Sequence, residues 1–166
     1  MEDIADYLAG FRDSVEFNIE GDPRRDLIDR VLRIRPHQCT LVPVRPGEVT
    51  SEAGWPPDTD PERLGATIRE LQAVNIRVSV FVEAQRDAIA WAASVGADRV
   101  ELYTEPYANA FGTHEEEDQL ARYTAACAQA TALGMGVNAG HDLDLDNRVI
   151  DVMARYVSAY SPNDMT

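Results

Sequence analysis

The stretch Val137-Asn138-Ala139-Gly140-His141-Asp142-Leu143 is a short apolar strand that leads directly into a loop of glycine, histidine and aspartate. Two earlier stretches have a related design. Phe17-Asn18-Ile19-Glu20-Gly21 carries a carboxylate at the end of an apolar strand, and Arg99-Val100-Glu101-Leu102-Tyr103-Thr104-Glu105 carries one inside a strand. Barrels of alternating strands and helices hold their catalytic groups at the carboxyl ends of the strands. These three stretches therefore predict a barrel-type α/β fold with an acid–base site at one end.

The remainder of the chain alternates strand and helix patterns. Short runs rich in Val, Ile, Leu and Phe predict strands at residues 15 to 20, 38 to 42, 77 to 82, 99 to 103 and 135 to 139. Amphipathic patterns predict helices at residues 23 to 34, 61 to 74, 85 to 95 and 115 to 133. Such a repeat of strand and helix indicates one parallel sheet.

Signals for helix ends support this division. Asp-Pro at residues 22 to 23 and again at 60 to 61 predicts an acidic N-cap followed by proline in the first turn. Asn75, Gly96 and Gly134 follow helical runs and predict left-handed C-terminal caps. A closed barrel of this type has eight strands and about 250 residues. Five strands in 166 residues therefore predict a partial (β/α) TIM-type barrel, a single incomplete domain over residues 1 to 166.

The charge of the chain excludes several classes of function. The formal net charge is −14, and all 15 basic residues are arginine. Because no basic stripe is present, no nucleic acid partner is expected. The acidic charge remains compatible with a phosphorylated small molecule as ligand, since helix N-termini and loop amides bind phosphate without net positive charge. The lack of lysine excludes a lysine Schiff base and a Walker-type phosphate loop, which both need that amine.

Hydropathy and cysteine usage predict an ordinary cytoplasmic protein. No stretch approaches the roughly 20 apolar residues of a membrane helix, and the start Met1-Glu2-Asp3 lacks the basic and apolar regions of a signal peptide. Cys39 and Cys127 have no metal-ligand spacing, so that buried free thiols are expected in place of a disulfide or a metal site.

Five blocks of sequence between residues 16 and 147 fit one known family in the same order. They are Glu16-Phe17-Asn18-Ile19-Glu20-Gly21, Pro36-His37-Gln38-Cys39-Thr40-Leu41-Val42-Pro43, Glu48-Val49-Thr50-Ser51-Glu52-Ala53-Gly54-Trp55, Glu101-Leu102-Tyr103-Thr104-Glu105-Pro106-Tyr107-Ala108 and Asn138-Ala139-Gly140-His141. Together they resemble the pyridoxine 5′-phosphate synthase family.

The resemblance implies a role in vitamin B6 biosynthesis. The family condenses 1-deoxy-D-xylulose 5-phosphate with 3-amino-2-oxopropyl phosphate, releases phosphate and water, and closes the pyridine ring of pyridoxine 5′-phosphate. The resemblance implies that the reaction needs no organic cofactor and no metal. It also implies that the substrates are phosphorylated small molecules and that the complete enzyme is a homo-oligomer. The chemistry needs several proton transfers, which carboxylate and imidazole groups at strand ends can carry.

The resemblance also implies roles for individual residues. Glu20 corresponds to the general base, His141 to the proton donor, and Glu101 to a carboxylate that stabilises the transition state. Thr50 corresponds to a substrate-binding threonine in the long loop of residues 43 to 60. Asp142 stands where some family members have glycine, at a position that implies contact with substrate, although its negative charge disfavours a nearby phosphate.

Simpler interpretations of the same residues stay open. Glu20 could be a surface carboxylate beside a turn, and His141 could be structural. In the long loop, Gly47 and Gly54 could serve as hinges and Trp55 could cover the site, or Trp55 could pack on the barrel rim. The two other histidines are expected to be structural: His37 precedes a strand at the face opposite the catalytic end, and His114 lies beside an acidic helix start.

By family alignment, residues 1 to 13 correspond to the helix after the second barrel strand, and residues 148 to 166 form a divergent C-terminal tail. The first two strands and the last are then missing, and the isolated chain is expected to be inactive. Two other classes of function remain. A divalent-metal-dependent sugar isomerase-like barrel would use Glu20, Glu101, Glu105 and His141 as ligands. A non-catalytic assembly module would use the open edges of the sheet.

Overall fold

The computed structural model describes residues 1 to 44, 51, 53 to 139, 142 and 143. Helix α1 covers Glu2–Leu8 and continues into a single 3-10 turn at Ala9–Phe11. The strands are β1 Asn18–Gly21, β2 Gln38–Leu41, β3 Arg77–Val82, β4 Arg99–Leu102 and β5 Gly136–Ala139. The helices that follow them are α2 Arg25–Ile34, α3 Pro61–Gln72, α4 Arg86–Ser94, and the consecutive pair α5 Glu105–Ala110 and α6 Glu116–Ala132.

The strands form one sheet in the order β1-β2-β3-β4-β5, and every neighbouring pair is parallel. Connections between parallel neighbours are right-handed, so crossovers that always step in the same direction place their helices on the same face. This is the arrangement of a TIM-type barrel, whereas a doubly wound sheet reverses its strand order. The prediction of an α/β fold with five parallel strands alternating with helices is confirmed.

The helices cover an apolar face of the sheet. Most strand residues on this face are buried: Ile19, Cys39, Leu41, Val78, Val80, Val82, Val100, Leu102 and Val137. Gly21 and Ala139, at the ends of β1 and β5, are half-buried. They share one core cluster with helix residues that include Ile28, Val31, Ile68, Leu71, Ile89 and Cys127. Burying an aliphatic side chain stabilises a fold by roughly 1.5–3 kcal/mol, so this face fixes the strands relative to the helices.

The opposite face of the sheet is largely polar. It carries Asn18, Glu20, Gln38, Thr40, Arg77, Ser79, Arg99, Glu101 and Asn138. Near its carboxyl end, Val42, Phe81 and Tyr103 form a small apolar cluster separate from the main core. Parallel strands buried on both faces are normally apolar throughout. The polar alternation therefore distinguishes this face as the place where a site can form.

The helix boundaries confirm most of the expected caps and correct one. Asp60 caps α3, since its side chain accepts a hydrogen bond from the Glu62 amide at 3.0 Å. Asn75, Gly96 and Gly134 adopt positive φ angles of 62°, 82° and 82°, as predicted.

The Asp-Pro pair at residues 22 to 23 is not a helix start, contrary to the prediction. Arg24 is extended and its amide donates to the Asp22 carbonyl at 2.7 Å, which delays the first helical residue to Arg25.

The short helix α5 was not predicted. Pro106 lies in its first turn, and Tyr107 packs edge-on against Tyr123 of α6 at a ring-centroid distance of 6.1 Å. The Tyr123 hydroxyl donates to the Tyr103 carbonyl, which ties α6 to the end of β4. Burial of Tyr123 raises the pKa of its phenol above the ordinary value. The proline was the available signal, but six residues are too few to show a helical period.

The two thiols are buried and free, as predicted. Burial raises the pKa of Cys39 to about 12 and the pKa of Cys127 to about 11. At pH 8 about one thiol in a thousand or fewer is then ionised, and the thiolate is the reactive form. We expect a disulfide reagent such as Ellman's to release almost no chromophore from native protein and two equivalents after denaturation. Rapid release of a full equivalent from native protein would contradict this.

Candidate active site

Glu20 lies on the polar face near the carboxyl end of β1, and its side chain is exposed. It is in register with Thr40 on β2, so the two side chains emerge side by side on neighbouring strands. Beneath it, Ile19 is 4% exposed and anchors β1 to the core. The local sequence thus alternates an anchoring side chain with one that is presented to the site.

Glu101 lies on the same polar face, on β4, and is half-buried. Its Oε2 atom accepts a hydrogen bond from the Thr40 hydroxyl at 3.4 Å, across the intervening strand β3. Ser79, in register with Thr40 on β3, has a small side chain, and its hydroxyl accepts from the Asn138 amide at 3.2 Å. The polar face therefore brings Glu20 and Glu101 to opposite sides of one buried threonine.

Tyr103 extends the polar face beyond Glu101, as period-two alternation predicts. Its ring meets Phe81 edge-on at a centroid distance of 5.5 Å. Its hydroxyl donates to the Glu105 carboxylate. That hydrogen bond, followed by burial and the charge of Glu105, raises the pKa of Tyr103 above the ordinary value, and the charge of Asp142 adds to the shift. Tyr103 is therefore a neutral donor at neutral pH.

Asp142 is exposed and adopts φ +57°. This is the left-handed region, which aspartate tolerates better than most residues and glycine best of all. The loop after β5 therefore needs a residue of this kind at the position.

The described part of the long loop after β2 packs on the rim of the sheet. The Trp55 indole donates to the Leu41 carbonyl at 2.9 Å, and its ring stacks on Trp91 of α4 at 6.1 Å. Trp91 in turn donates to the Thr59 carbonyl at 2.9 Å. These contacts favour the rim interpretation of Trp55 over a cover for the site.

Gly54 is a point of close approach between the loop and the end of β3. A Cβ atom placed on it would lie 2.5 Å from the Val82 Cα atom and 2.7 Å from the Glu83 amide nitrogen. Its own amide donates to the Glu83 carboxylate at 3.4 Å. Only glycine fits the backbone this close to the end of β3.

His37 is structural, as expected. It is 6% exposed, and its Nδ1 atom accepts a hydrogen bond from the Phe17 amide at 2.8 Å, which joins β1 to β2 at their amino ends. Burial lowers the pKa of His37 below the ordinary value. His114 is exposed on the loop before α6.

Three residues named from the sequence, His141, Thr50 and Gly47, lie outside the described residues. Within the described ranges, no group of three or more His, Cys, Asp or Glu side chains is arranged to hold a metal ion. In the same ranges, no helix combines the length and the apolar character needed to cross a membrane.

Sequence reasoning missed the polar residues between the two glutamates. These residues are Thr40 and Ser79, for which the sequence analysis predicts no role. The available signal was the alternation in β2 and in the first part of β3, where the polar residues Gln38, Thr40, Arg77 and Ser79 depart from the continuous apolar run expected of a buried parallel strand. The hydrogen bond from Tyr103 to Glu105 was missed because it crosses the end of a strand.

Comparison with known proteins identifies the family. A family model described as "Pyridoxal phosphate biosynthesis protein PdxJ" matches residues 1 to 158. The chain belongs to the PdxJ family. The match extends beyond residues 16 to 147 at both ends and includes the first part of residues 148 to 166.

Proteins named pyridoxine 5′-phosphate synthase are close relatives. The one from Bacteroides thetaiotaomicron is 48% identical over 132 residues, which cover 80% of this chain and 55% of that protein. The one from Albidiferax ferrireducens is 46% identical over 152 residues, which cover 89% of this chain and 60% of that protein. The chain therefore spans between one half and two thirds of the length of these PdxJ relatives.

A solved structure supports the fold. A phosphodiesterase solved in complex with c-di-GMP superposes with a TM-score of 0.58 over 92% of this chain and 61% of that chain, at 11% sequence identity. At this identity the likeness concerns the fold alone.

Proposed function

We propose that this chain carries part of the active site of a pyridoxine 5′-phosphate synthase. The reaction is the condensation of 1-deoxy-D-xylulose 5-phosphate with 3-amino-2-oxopropyl phosphate to form pyridoxine 5′-phosphate. The observation that carries the proposal is the placement of Glu20 and Glu101 on one polar sheet face, on either side of Thr40, in a member of the PdxJ family.

Each site residue has a proposed role. Glu20 acts as the general base, and its exposure leaves the carboxylate accessible to a substrate. Glu101 stabilises the transition state from its half-buried position, where a fixed charge acts more strongly than in water. His141 is the proton donor, and Thr50 and Asp142 contact substrate. The roles of these last three rest on the resemblance to the family.

A divalent-metal isomerase is the weaker alternative. It requires Glu105 as a ligand, but the Glu105 carboxylate accepts the Tyr103 hydroxyl. Its ligand set also includes His141, which lies outside the described residues. A metal analysis of purified protein separates the two functions, because the proposed synthase chemistry requires no stoichiometric metal.

We propose further that the protein works in the cytoplasm on phosphorylated small molecules and that the complete enzyme is a homo-oligomer. The formal charge of −14 supports the accompanying proposal that nucleic acid is not a partner.

The activity is tested in a chimera of full family length. Residues 1 to 143 of this chain replace the matching segment of the Bacteroides thetaiotaomicron synthase, which is 48% identical; we call this protein the barrel chimera. We expect it to form pyridoxine 5′-phosphate from the two substrates, detected by chromatography together with release of phosphate. A chimera that is folded by circular dichroism but forms no product, while the parent enzyme does, would contradict the proposal.

A further inference from the structure

A chain of hydrogen bonds runs along the polar face from the amino end of the sheet toward Glu101. Arg77 on β3 pairs with Glu16 at 2.7 Å and donates through Nε to the Gln38 side-chain oxygen at 2.8 Å. The Gln38 amide donates to the Thr40 hydroxyl at 3.4 Å. The Thr40 hydroxyl then donates to the Glu101 carboxylate at 3.4 Å.

The hydrogen bonds in this series all run in one direction, from Arg77 toward Glu101. Because Arg77 only donates, it fixes the oxygen of the Gln38 amide toward itself and leaves the NH₂ group directed at Thr40. The Thr40 hydroxyl accepts that bond, so its single proton is available to the oxygens on its other side. Gln38 is 2% exposed and Thr40 is 0% exposed, so water does not compete for these positions.

The proton of Thr40 is shared between two acceptors. Its oxygen lies 3.2 Å from the Asn18 side-chain oxygen and 3.4 Å from Glu101 Oε2. Both distances exceed the usual O–H···O distance of about 2.7–2.8 Å, as expected for a three-centre bond. The shared proton links β1, which carries Glu20, to the carboxylate of Glu101 on β4.

We propose that Thr40 is a positioning residue that holds the Glu101 carboxylate in place on the polar face, with Gln38 and Arg77 setting the direction of its proton. Ser79 is small enough to let Glu101 reach Thr40 across β3. This inference rests on the proposed function only where it assigns a consequence for turnover. The positioning itself is a property of the described residues.

The positioning is tested on the chain itself by carbon NMR of glutamate side-chain carboxyls, with the Glu101 signal assigned by Glu101→Gln. Thr40→Val keeps the shape of the side chain but removes the hydroxyl, and we expect it to shift the Glu101 carboxyl signal. Thr40→Ser keeps the hydroxyl and should restore the signal. Thr40→Ala is a second variant without the hydroxyl, so failure of the valine variant to fold leaves the test intact.

Ser79→Ala is the matched control, because it removes a hydroxyl from the neighbouring position on β3 and leaves the Thr40 contact in place. We expect the Glu101 signal to change much less in this variant. An unchanged Glu101 signal in both Thr40→Val and Thr40→Ala overturns the proposal. A shift of the same size in Ser79→Ala also overturns it, because the effect would then be a general response of the sheet.

The consequence for turnover is tested in the barrel chimera. Because displacing a catalytic group by a fraction of an ångström is costly, Thr40→Val should lower kcat about tenfold with little change in KM, and Thr40→Ser should recover most of it. If the carboxyl signal shifts but neither Thr40→Val nor Glu101→Gln lowers kcat, the positioning stands and the proposed role of Glu101 fails. The two failures are therefore distinguishable.

Discussion

Replacing Glu20 by glutamine in the barrel chimera should lower kcat by about a hundredfold or more, and replacing His141 by asparagine should have an effect of similar size. Each change removes the group that takes or gives a proton and leaves a polar amide in its place, and general acid–base groups contribute about a hundredfold to ten-thousandfold. A hundredfold loss corresponds to about 2.7 kcal/mol of transition-state stabilisation. Steady-state kinetics with both substrates measures it.

Glu117→Gln is the control for these variants, since Glu117 is an exposed glutamate on α6, away from the polar face of the sheet. It should retain parental kcat and KM. Circular dichroism must show that Glu20→Gln and His141→Asn are folded. If both retain near-parental turnover, Glu20 and His141 do not carry the proton transfers.

Replacing Gly54 by alanine should destabilise the protein by about 1–3 kcal/mol or more, the cost of inserting a group into a packed site. The added methyl group would approach the Val82 Cα atom to 2.5 Å. The neighbouring atoms are backbone, so relief requires movement of the end of β3 or of the loop. The free energy of unfolding, measured by urea denaturation, should fall accordingly.

Gly10→Ala is the matched control, because no heavy atom lies within 4 Å of the position where its Cβ would be placed. It should leave the free energy of unfolding unchanged or raise it by up to about 1 kcal/mol, because alanine restricts the unfolded chain more than glycine does. Equal stabilities for Gly54→Ala and Gly10→Ala would show that the loop does not pack on β3 as described.

The repeat of strands and helices could be predicted because each element carries its own period. The strand at residues 77 to 82 was predicted with its observed bounds, Arg77–Val82. The first strand was predicted at residues 15 to 20 but runs over Asn18–Gly21. Val15-Glu16-Phe17 alternates like a strand, yet the Phe17 amide donates to the His37 side chain and not to a neighbouring strand. A pattern along one chain cannot show such a partner.

Some residues of the candidate site could likewise be predicted from the sequence, and others could not. Glu101 could be named because a carboxylate inside an apolar strand is costly unless it has a partner or a function, whereas the exposed Glu20 could be named only through the resemblance to the family. Thr40 could not, because threonine is a favoured strand residue and nothing local separates a packing threonine from one that donates to a carboxylate. Its importance arises only when three strands are set side by side in register.

The stacking of Trp55 on Trp91 has a practical consequence for spectroscopy. These are the chain's two tryptophans, and their rings lie 6.1 Å apart at an angle of 29°. The intrinsic tryptophan fluorescence therefore reports mainly on one contact, the one between the loop after β2 and α4. Any change in tryptophan emission when a phosphorylated ligand is added can be assigned to that contact without introducing a label.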